Sequence, residues 1–386
     1  MYTLKPITRK LPSFNSAFMA AVSGAKLTHD ELVRLVSTTN KKEMDCLHDA
    51  AGELNKKIYQ NKIYTRGIIE FSNACEKRCH YCGVTAYDDK FLMSHDSILE
   101  CTDYMYEVGY RNLVLQSGEI SSESRIKYLE ELLSKIQNRY GTSPNKGMCV
   151  VLSVGELSRQ QYQRLFNAGS QRYLLRIESS NPELYKSMHP SDHLFSRRIQ
   201  ALNDLKSIGF VTGTGVMIGV PKQTFDDVAN DIEFFRDGKF PMIGLGPYII
   251  HKQTVMGKQL LKTTTEKERK IADNLKVKIT LNVYNVLRLQ CPLINIAATT
   301  ALETLSPGSK ALALSGGCNV LMPIITPKIF RSGYQLYEGK KEVDMNREKT
   351  HQSMLDLVKS IGKIPSFGEW NHPKLYLQEH PHAFGL

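Results

Sequence analysis

Three cysteines within eight residues form the strongest chemical signal in this chain. Cys75, Cys79 and Cys82 have the spacing C-x3-C-x2-C, and no fourth cysteine lies nearby. An iron–sulfur cube binds four ligands, which are usually cysteine thiolates. Three cysteines therefore leave one iron open, and an open metal position is a place where a small molecule can bind and react.

Two other uses of these cysteines fit the pattern less well. A zinc site would need paired C-x2-C units or a Cys/His set, and disulfides would need an oxidising compartment and even spacing. The remaining cysteines are dispersed and show no pairing pattern: Cys46, Cys101, Cys149, Cys291 and Cys318. We therefore expect an iron–sulfur site in a reducing compartment.

Charged and polar residues lie at the ends of two β-rich runs. Ser117-Gly118-Glu119 closes one run, where a turn exposes backbone groups and a carboxylate that can bind a cationic group. In the other run, period-two alternation places Arg172, Arg176 and Glu178 on one face. Inward-facing charges are costly unless they pair or bind an anion, so an internal salt-bridge network and a ligand site both fit.

Strands and helices must alternate to position these residues. Eight β-rich runs are each followed by a helical pattern: 66–71, 112–115, 148–152, 172–176, 211–218, 242–245, 294–297 and 319–322. Alternation at this spacing predicts parallel strands joined by right-handed crossovers. The predicted fold class is α/β, a complete (β/α)8 TIM-type barrel, with its reactive residues on the loops that follow the strands.

We divide the chain into three parts. Residues 1–27 contain four basic residues, several Ser and Thr and no acidic residue, a composition typical of an organelle transit peptide. Residues 28–340 are predicted to form the barrel with N-terminal helices, the first starting at the capping box Thr28-His29-Asp30-Glu31. Residues 341–386 are predicted to form a C-terminal helical extension packed on the barrel.

The net charge of +11 raises the question of acidic partners. The Lys and Arg residues occur as scattered pairs among acidic residues and form no basic stripe with aromatics, so we do not expect a nucleic-acid partner. No apolar stretch approaches the length of a membrane span. We expect a soluble protein without a membrane partner.

The cysteine motif resembles that of the radical S-adenosylmethionine (SAM) enzymes. In that superfamily the amino and carboxylate groups of SAM bind the fourth iron, and an electron from the reduced cluster releases a 5′-deoxyadenosyl radical. The resemblance implies a [4Fe–4S] cluster on Cys75, Cys79 and Cys82, with SAM as the second cofactor. Tyr81, directly before the last cysteine, stands at the position that commonly covers the adenine.

Further motifs narrow the resemblance to the HydE-type maturases of [FeFe]-hydrogenase, whose relatives include biotin synthase and methylornithine synthase. These motifs occur in order along the chain: Arg66-Gly67-Ile68-Ile69-Glu70, Leu115-Gln116-Ser117-Gly118-Glu119, Gly219-Val220-Pro221-Lys222-Gln223-Thr224, Ala298-Thr299-Thr300-Ala301 and Tyr334-Gln335-Leu336-Tyr337. Many family members carry three further cysteines near the C-terminus for a second cluster. Residues 337–357 contain none, so the resemblance implies a single cluster here.

The same resemblance implies roles for residues at the strand ends. SAM would be surrounded by Tyr81, Gln116, Ser117, Glu119, Ser153, Arg172, Arg176, Glu178 and Arg198. The substrate would contact Arg176, Thr299, Thr300, Met322 and Tyr334. In this family the adenosyl radical is thought to attack the thiolate of a cysteine-bound iron carbonyl cyanide, and positive residues in the lumen suit such an anionic complex.

The resemblance also implies partners and a location. The organometallic substrate would come from a tyrosine-cleaving radical SAM maturase, and a GTPase scaffold would be a further partner. A low-potential donor such as ferredoxin would supply the electron. Together with the transit-like residues 1–27, these expectations predict a hydrogenosome or the matrix of another mitochondrion-related organelle, and otherwise the cytoplasm.

Two other functions stay open at this point. A relative of biotin synthase or methylornithine synthase would act on a small organic substrate, although biotin synthase needs further cluster ligands that the dispersed cysteines do not supply. A non-enzymatic iron–sulfur carrier or scaffold would hold a cluster without cleaving SAM. Formation of 5′-deoxyadenosine separates this last alternative from every radical SAM function.

Overall fold

Strands and helices alternate through most of the computed structural model, which describes residues 4–5, 7–86, 88–143, 146–341 and 343–382. The strands are β1 (Lys62–Thr65), β2 (Gly67–Ser72), β3 (Asn112–Ser117), β4 (Cys149–Ser153), β5 (Arg172–Leu174), β6 (Val211–Thr214), β7 (Met217–Ile218), β8 (Met242–Ile243), β9 (Gly246–Pro247), β10 (Asn295–Ile296), β11 (Val320–Leu321) and β12 (Ile364–Ser366).

The helices before the middle of the chain are α1 (Phe14–Val22), α2 (His29–Val36), α3 (Lys41–Tyr59), α4 (His95–Glu107), α5 (Glu123–Tyr140), α6 (Arg159–Asn167), α7 (Pro182–Met188) and α8 (Phe195–Ile208). Those after it are α9 (Phe225–Asp237), α10 (Val255–Thr263), α11 (Glu266–Gln290), α12 (Thr300–Leu305), α13 (Ser309–Ser315), α14 (Lys328–Arg331), α15 (Arg347–Ser360) and α16 (Lys374–Glu379). A short 3-10 helix spans Gly83–Ala86. Across the described residues, no helix combines the length and apolar character needed to cross a membrane.

Seven parallel strands form one curled sheet in the order β10-β8-β6-β5-β4-β3-β2. The eighth predicted strand, β11, hydrogen-bonds toward both edges of that sheet. On one side Asn319 N donates to Ile296 O over 3.0 Å, and on the other Ile325 N donates to Ile68 O over 2.8 Å. Residues 319–325 therefore join the two edges, and the predicted α/β barrel is confirmed.

Alternate residues of the barrel strands face helices or the lumen, as the two-residue period of a strand requires. In β2, Ile69 and Phe71 are fully buried in the main core, and the Phe71 ring stacks on Tyr128 of α5 with centroids 6.1 Å apart. Ile68, between Gly67 and Ile69, remains half-buried. The outward face thus forms the barrel-to-helix core, while the inward face lines a lumen.

The N-terminal segment that we predicted as a leader contains α1. Phe14, Ala17 and Ala21 on this helix are buried in the main core, and Leu27 is 2% exposed. Capping begins at Ser13, whose hydroxyl accepts the N–H of Ser16. Removal of residues 1–27 stays a prediction, and it would remove these buried side chains from the folded core.

The C-terminal extension does more than pack on the outside of the barrel. Its strand β12 pairs in parallel with β1, with Tyr64 opposite Ser366. Trp370 is buried, and its indole N–H donates to Gly147 O over 2.8 Å. The extension therefore lies at the amino ends of the barrel strands, where it covers the floor of the lumen.

Candidate active site

The cysteine loop begins where β2 ends. Asn73, fully buried, fixes this start because its Nδ2 donates to Asp89 O and Gly333 O, and its Oδ1 accepts the N–H of Phe91. Farther along, His80 N donates to Met188 O at the end of α7, and His80 O accepts from Met256 N in α10. The loop is therefore held at the carboxyl ends of the strands, which is where barrel enzymes place reactive residues.

The three cysteine thiols of this loop are half-buried and form no disulfides. Burial raises the pKa of Cys75, and it raises the pKa of Cys79 to about 12. A bound metal would reverse that effect, because a thiolate ligand must be deprotonated. Cys75 Sγ already accepts the backbone N–H of Glu119 over 3.3 Å, which is a contact suited to a sulfur that carries negative charge.

The zinc alternative finds no support in this arrangement. In the ranges that the structure describes, no three or more His, Cys, Asp or Glu side chains are grouped to hold a single metal ion. A four-iron cube differs because each thiolate binds a separate iron. The donor set of three thiols on one loop, with a backbone N–H aimed at one sulfur, therefore fits a cube better than a single ion.

The turn after β3 brings Glu119 against the cysteine loop. A Cβ on Gly118 would lie 2.3 Å from Ala74 O and 2.6 Å from Cys75 Cβ, so only glycine permits this approach. Glu119 O accepts the N–H of Glu76 over 2.8 Å. The predicted Ser117-Gly118-Glu119 turn is therefore packed directly on the cysteine loop.

Glu119 is a buried carboxylate with a cationic neighbour. It is 8% exposed, its Oε2 accepts the N–H of Glu156 over 2.7 Å, and its Oε1 lies 3.2 Å from Lys77 Nζ. Burial is the largest influence and raises the pKa of Glu119, although Arg198, Lys77 and the Glu156 N–H oppose it. A further cation bound here would stabilise the ionised form.

A chain of charged groups continues from this carboxylate toward β5. Arg198 Nε donates to Glu156 Oε2 over 3.0 Å, and Arg198 Nη1 donates to Arg176 O. Arg176 Nη2 lies 2.9 Å from Glu178 Oε2. Glu178 has a φ of +63°, a left-handed conformation that is uncommon outside glycine. The structure thus brings Glu119, Arg176, Glu178 and Arg198 to one edge of the barrel, beside the cysteine loop.

A row of polar side chains crosses the neighbouring strands below this edge. Gln116 pairs in register with Glu70 of β2 and with Ser153 of β4. Gln116 Nε2 donates to the hydroxyl of Tyr334 over 3.2 Å, and Tyr334 is 2% exposed. Gln116 and Ser153 are only half-buried in the middle of a packed sheet, which indicates open space in the lumen.

The predicted substrate contacts on the far strands have different surroundings. Thr299 and Thr300 are half-buried at the start of α12, and Thr299 Oγ1 lies 3.3 Å from the Tyr284 hydroxyl. Met322 packs beside the buried cluster of Tyr59, Tyr64, Ala297 and Val320. It also lines a cavity of about 220 Å³ with residues of α13 and α15 rather than with the other predicted contacts.

Arg172 corrects one prediction. Its guanidinium is fully buried at the start of β5, where Nη1 donates to Asn112 Oδ1 over 3.0 Å and Nη2 donates to Trp370 O over 2.7 Å. Arg172 stands four residues before Arg176, and its hydrogen bonds hold its side chain at the floor of the barrel rather than at the edge where Arg176 lies. It anchors the C-terminal extension, and we no longer assign it to SAM.

Tyr81 lies in an aromatic group next to the cysteine loop. Its ring meets the His189 ring edge to face, with centroids 5.5 Å apart, and His189 in turn stacks on Tyr185 at 3.9 Å. Burial lowers the pKa of His189 to about 3, so this imidazole is neutral at neutral pH. The group gives Tyr81 a fixed support, as a side chain that covers a planar ring requires.

Four contributors to the site were missed from the sequence. Glu156 and Lys77 complete the charge chain, while Glu70 and Lys340 form a buried ion pair in the lumen. Glu156 follows the Leu152-Ser153-Val154-Gly155 strand end, so the position after a barrel strand was an available signal for it. Lys340 gave no signal, because a lysine in a loop normally lies in solvent.

Comparison with known proteins agrees with this architecture. Residues 69–235 match the Radical SAM superfamily. The chain is 33% identical over 344 residues to the [FeFe] hydrogenase maturase subunit HydE of Thermotoga maritima, covering 88% of this chain and 92% of that protein. It is 21% identical to 3-methylornithine synthase of Methanosarcina barkeri, over 92% and 95% of the two chains.

Two solved structures share the fold at low sequence identity. The crystal structure of methylornithine synthase (PylB) matches with a TM-score of 0.74 and 20% identity, over 91% of this chain and 98% of that one. The crystal structure of HydG, a maturase of the [FeFe]-hydrogenase, matches with a TM-score of 0.72 and 16% identity, over 92% and 76%. This chain belongs to the radical SAM superfamily of enzymes, which use a [4Fe–4S] cluster and SAM, and within it to the HydE family.

Proposed function

We propose that this radical SAM enzyme matures [FeFe]-hydrogenase by acting on an iron-containing precursor of the hydrogenase cofactor. The observation that carries this proposal is the 33% identity with HydE along 92% of that protein, together with a polar lumen that opens toward the cysteine loop. Low-identity structural neighbours support the fold alone, so the substrate rests on the HydE relationship and on the chemistry of the lumen.

Cys75, Cys79 and Cys82 would hold the cluster as its only protein ligands. When bound, the reduced cluster and SAM supply a 5′-deoxyadenosyl radical. Glu119 would accept the ammonium of SAM, since its backbone N–H contacts Cys75 Sγ and its buried carboxylate already has Lys77 as a cationic neighbour. Arg176 and Arg198 lie at the same edge, and they would orient the SAM carboxylate and ribose together with Glu178 and Ser153.

The precursor would be a cysteine-bound iron carbonyl cyanide, which is anionic. The lumen contains buried Arg66 and Arg172 at its floor, and among the described residues neither guanidinium forms an ion pair with a carboxylate: Arg66 contacts Met242 Sδ, and Arg172 contacts Asn112 Oδ1 and Trp370 O. Fixed cations in a dry cavity favour an anionic ligand. Thr299, Thr300 and Tyr334 would donate hydrogen bonds to it, and Met322 would provide an apolar contact.

The partners follow from the same proposal. A tyrosine-cleaving radical SAM maturase would supply the precursor, a GTPase scaffold would receive the product, and a low-potential protein such as ferredoxin would provide electrons. We place these reactions in a hydrogenosome or related organelle, on the composition of residues 1–27.

Anaerobic maturation tests the proposal. Reconstituted protein is mixed with SAM, dithionite, the partner maturases and apo-hydrogenase, and hydrogen evolution is measured. We expect activity that requires this chain and disappears in Cys75→Ala, while Cys46→Ala, which changes an exposed cysteine outside the motif, retains it. Hydrogenase activity that does not depend on the added chain would refute the maturase function, and absence of 5′-deoxyadenosine would refute radical SAM chemistry altogether.

Synthesis of 3-methylornithine is the second candidate, because the sequence is also related to 3-methylornithine synthase, with 21% identity over 95% of that protein. The same anaerobic preparation is incubated with SAM, dithionite and free amino acids, and 3-methylornithine is sought by mass spectrometry. Its formation at a rate above that of Cys75→Ala would favour this candidate over the maturase.

A further inference from the structure

Residues 333–340, here called the mouth segment, cross the open end of the barrel and end in a buried lysine. The Lys340 ammonium forms an ion pair with Glu70, and each of the two side chains is 5% exposed. Lys340 Nζ also donates to Tyr334 O over 3.0 Å and lies 5.3 Å from the centre of the Tyr334 ring. Lys340 therefore closes the segment back on Tyr334 and fastens its end to the lumen through Glu70.

The mouth segment also contacts both ends of the cysteine loop. Gly333 O accepts Asn73 Nδ2 over 3.0 Å, two residues before Cys75. Leu336 O accepts the N–H of Gly83 over 2.9 Å, directly after Cys82. Any shift of this segment would therefore move the hydrogen-bond partners of Asn73 and Gly83, which flank the three cysteines.

Glu70 connects the same ion pair to the wall of the lumen. Its backbone N–H donates to Thr326 Oγ1 over 2.8 Å, and its register partner is Gln116. Gln116 in turn donates to the Tyr334 hydroxyl. Tyr334 is thus held from two sides, by Gln116 at its hydroxyl and by Lys340 at its backbone carbonyl.

Burying two charges costs free energy that surface residues would not incur, and a buried pair is poor evidence for a stabilising role. Its value lies in geometry, because removal of either charge takes away the buried counter-ion of the other. We propose that Lys340 is a positioning residue: its ion pair with Glu70 fixes the mouth segment, and through it the cysteine loop and Tyr334, in the arrangement that couples SAM cleavage to substrate conversion.

The test compares Lys340→Met, Glu70→Gln and the double variant with a matched control, Lys341→Met, which removes a neighbouring exposed lysine. Three measurements presuppose only that the chain is a radical SAM enzyme. They are its iron content, the hydrogen exchange of peptides containing Gly83 and Tyr334, and the yield of 5′-deoxyadenosine. The ratio of matured hydrogenase to 5′-deoxyadenosine rests in addition on the proposed function. Lys340→Arg serves as the conservative rescue.

We expect Lys340→Met to bind as much iron as Lys341→Met and still to cleave SAM, with faster exchange at Gly83 and Tyr334. Small displacements at a reacting centre reduce the reaction rate by large factors. The amount of matured hydrogenase formed per 5′-deoxyadenosine should therefore fall about tenfold or more. The double variant, in which both charges of the pair are removed, should recover thermal stability but not this ratio. Lys340→Arg should recover the ratio in part.

Two results would overturn the assignment. One is exchange at Gly83 and Tyr334 in Lys340→Met that equals that of Lys341→Met. The other is a double variant in which stability and the product ratio recover together, since that would make the pair purely structural. If maturation fails even with the unmodified chain, the exchange and SAM-cleavage measurements still decide the positioning role, and only the proposed function is refuted.

Discussion

The side chain of Glu119 lies directly over Gly155. A Cβ on residue 155 would be 2.3 Å from Glu119 Cγ and 2.4 Å from Oε2, and the same carboxylate accepts the N–H of Glu156 over 2.7 Å. Gly155 also has a φ of +92°, which an L-residue rarely adopts. Gly155, in the loop after β4, therefore leaves the space that the Glu119 side chain of the loop after β3 occupies.

Gly155→Ala is expected to weaken SAM binding by displacing Glu119. Gly141→Ala is its matched control, because Gly141 has a φ of +78° and a Cβ added there would meet no atom within 4 Å. Both changes should cost about 1–2 kcal/mol of stability through backbone strain. In the reconstituted protein, equilibrium binding should show SAM affinity reduced about tenfold or more for Gly155→Ala alone. Equal affinities in the two variants would remove Glu119 from the SAM site.

Arg172 and Arg176 are expected to separate structural from SAM-binding roles. Arg172→Met deprives Trp370 O and Asn112 Oδ1 of their donor, so amide exchange in residues 364–372 should accelerate. SAM affinity should stay within about twofold, since the change is at the floor. Arg176→Met should leave that exchange unchanged and lower SAM affinity about tenfold, as loss of a charged hydrogen bond does. The reverse pattern would restore Arg172 to the cofactor site.

Truncation tests the part played by the N-terminal segment. A chain lacking residues 1–27 loses buried Phe14, Ala17 and Ala21, and its free energy of unfolding should fall by about 3 kcal/mol or more. A chain lacking residues 1–12 keeps α1 and its cap Ser13 and loses one buried core side chain, Leu4, so its free energy of unfolding should fall by less than that of the longer truncation. Urea unfolding measures both. Equal stability of the longer truncation and the full chain would show that α1 is dispensable, as a removable leader requires.

The barrel could be predicted because local signals agree with the global fold. Capping boxes at Thr28, Ser158, Thr224 and Thr265 all start helices, and each of the eight β-rich runs overlaps at least one strand. Such patterns predict the fold because local preference and tertiary structure agree. Short strands such as β9 and β12 lack this redundancy, since tertiary pairing rather than composition determines them.

The site was only partly predictable for a different reason. Residues that directly follow a strand, such as Glu119, could be found because barrel topology brings strand ends together. The height of Arg172 in the lumen depends on strand tilt and on the C-terminal extension that reaches the floor. Period-two alternation gives no information about either. Lys340 lies 270 residues from Glu70, and no local pattern reports a contact at that separation.

Asp231 gives the chain a pH-dependent stability near neutrality. The carboxyl group is 1% exposed, and Ser180 donates to its Oδ1 from both N (2.6 Å) and Oγ (2.7 Å), two residues after Glu178. Burial, opposed by these hydrogen bonds, raises the pKa of Asp231 from 3.8 to about 7. The folded protein therefore binds a proton that the unfolded chain releases between about pH 4 and pH 7.

Because the folded-state pKa is raised, this carboxyl group favours the folded state less as pH rises through that window. Asp231→Asn keeps an acceptor for Ser180 and cannot ionise, so the stability of the wild-type chain relative to this variant should fall by about 1–3 kcal/mol between pH 5 and pH 8. Glu123→Gln is the control: pairing with Arg164 lowers the pKa of exposed Glu123, so its carboxyl group stays ionised throughout that range and the difference should stay flat. Urea unfolding at unit pH intervals gives both curves. If the stability difference between the wild-type chain and Asp231→Asn does not change with pH, the Asp231 carboxyl group is ionised in the folded protein and is stabilised by a cation near Glu178.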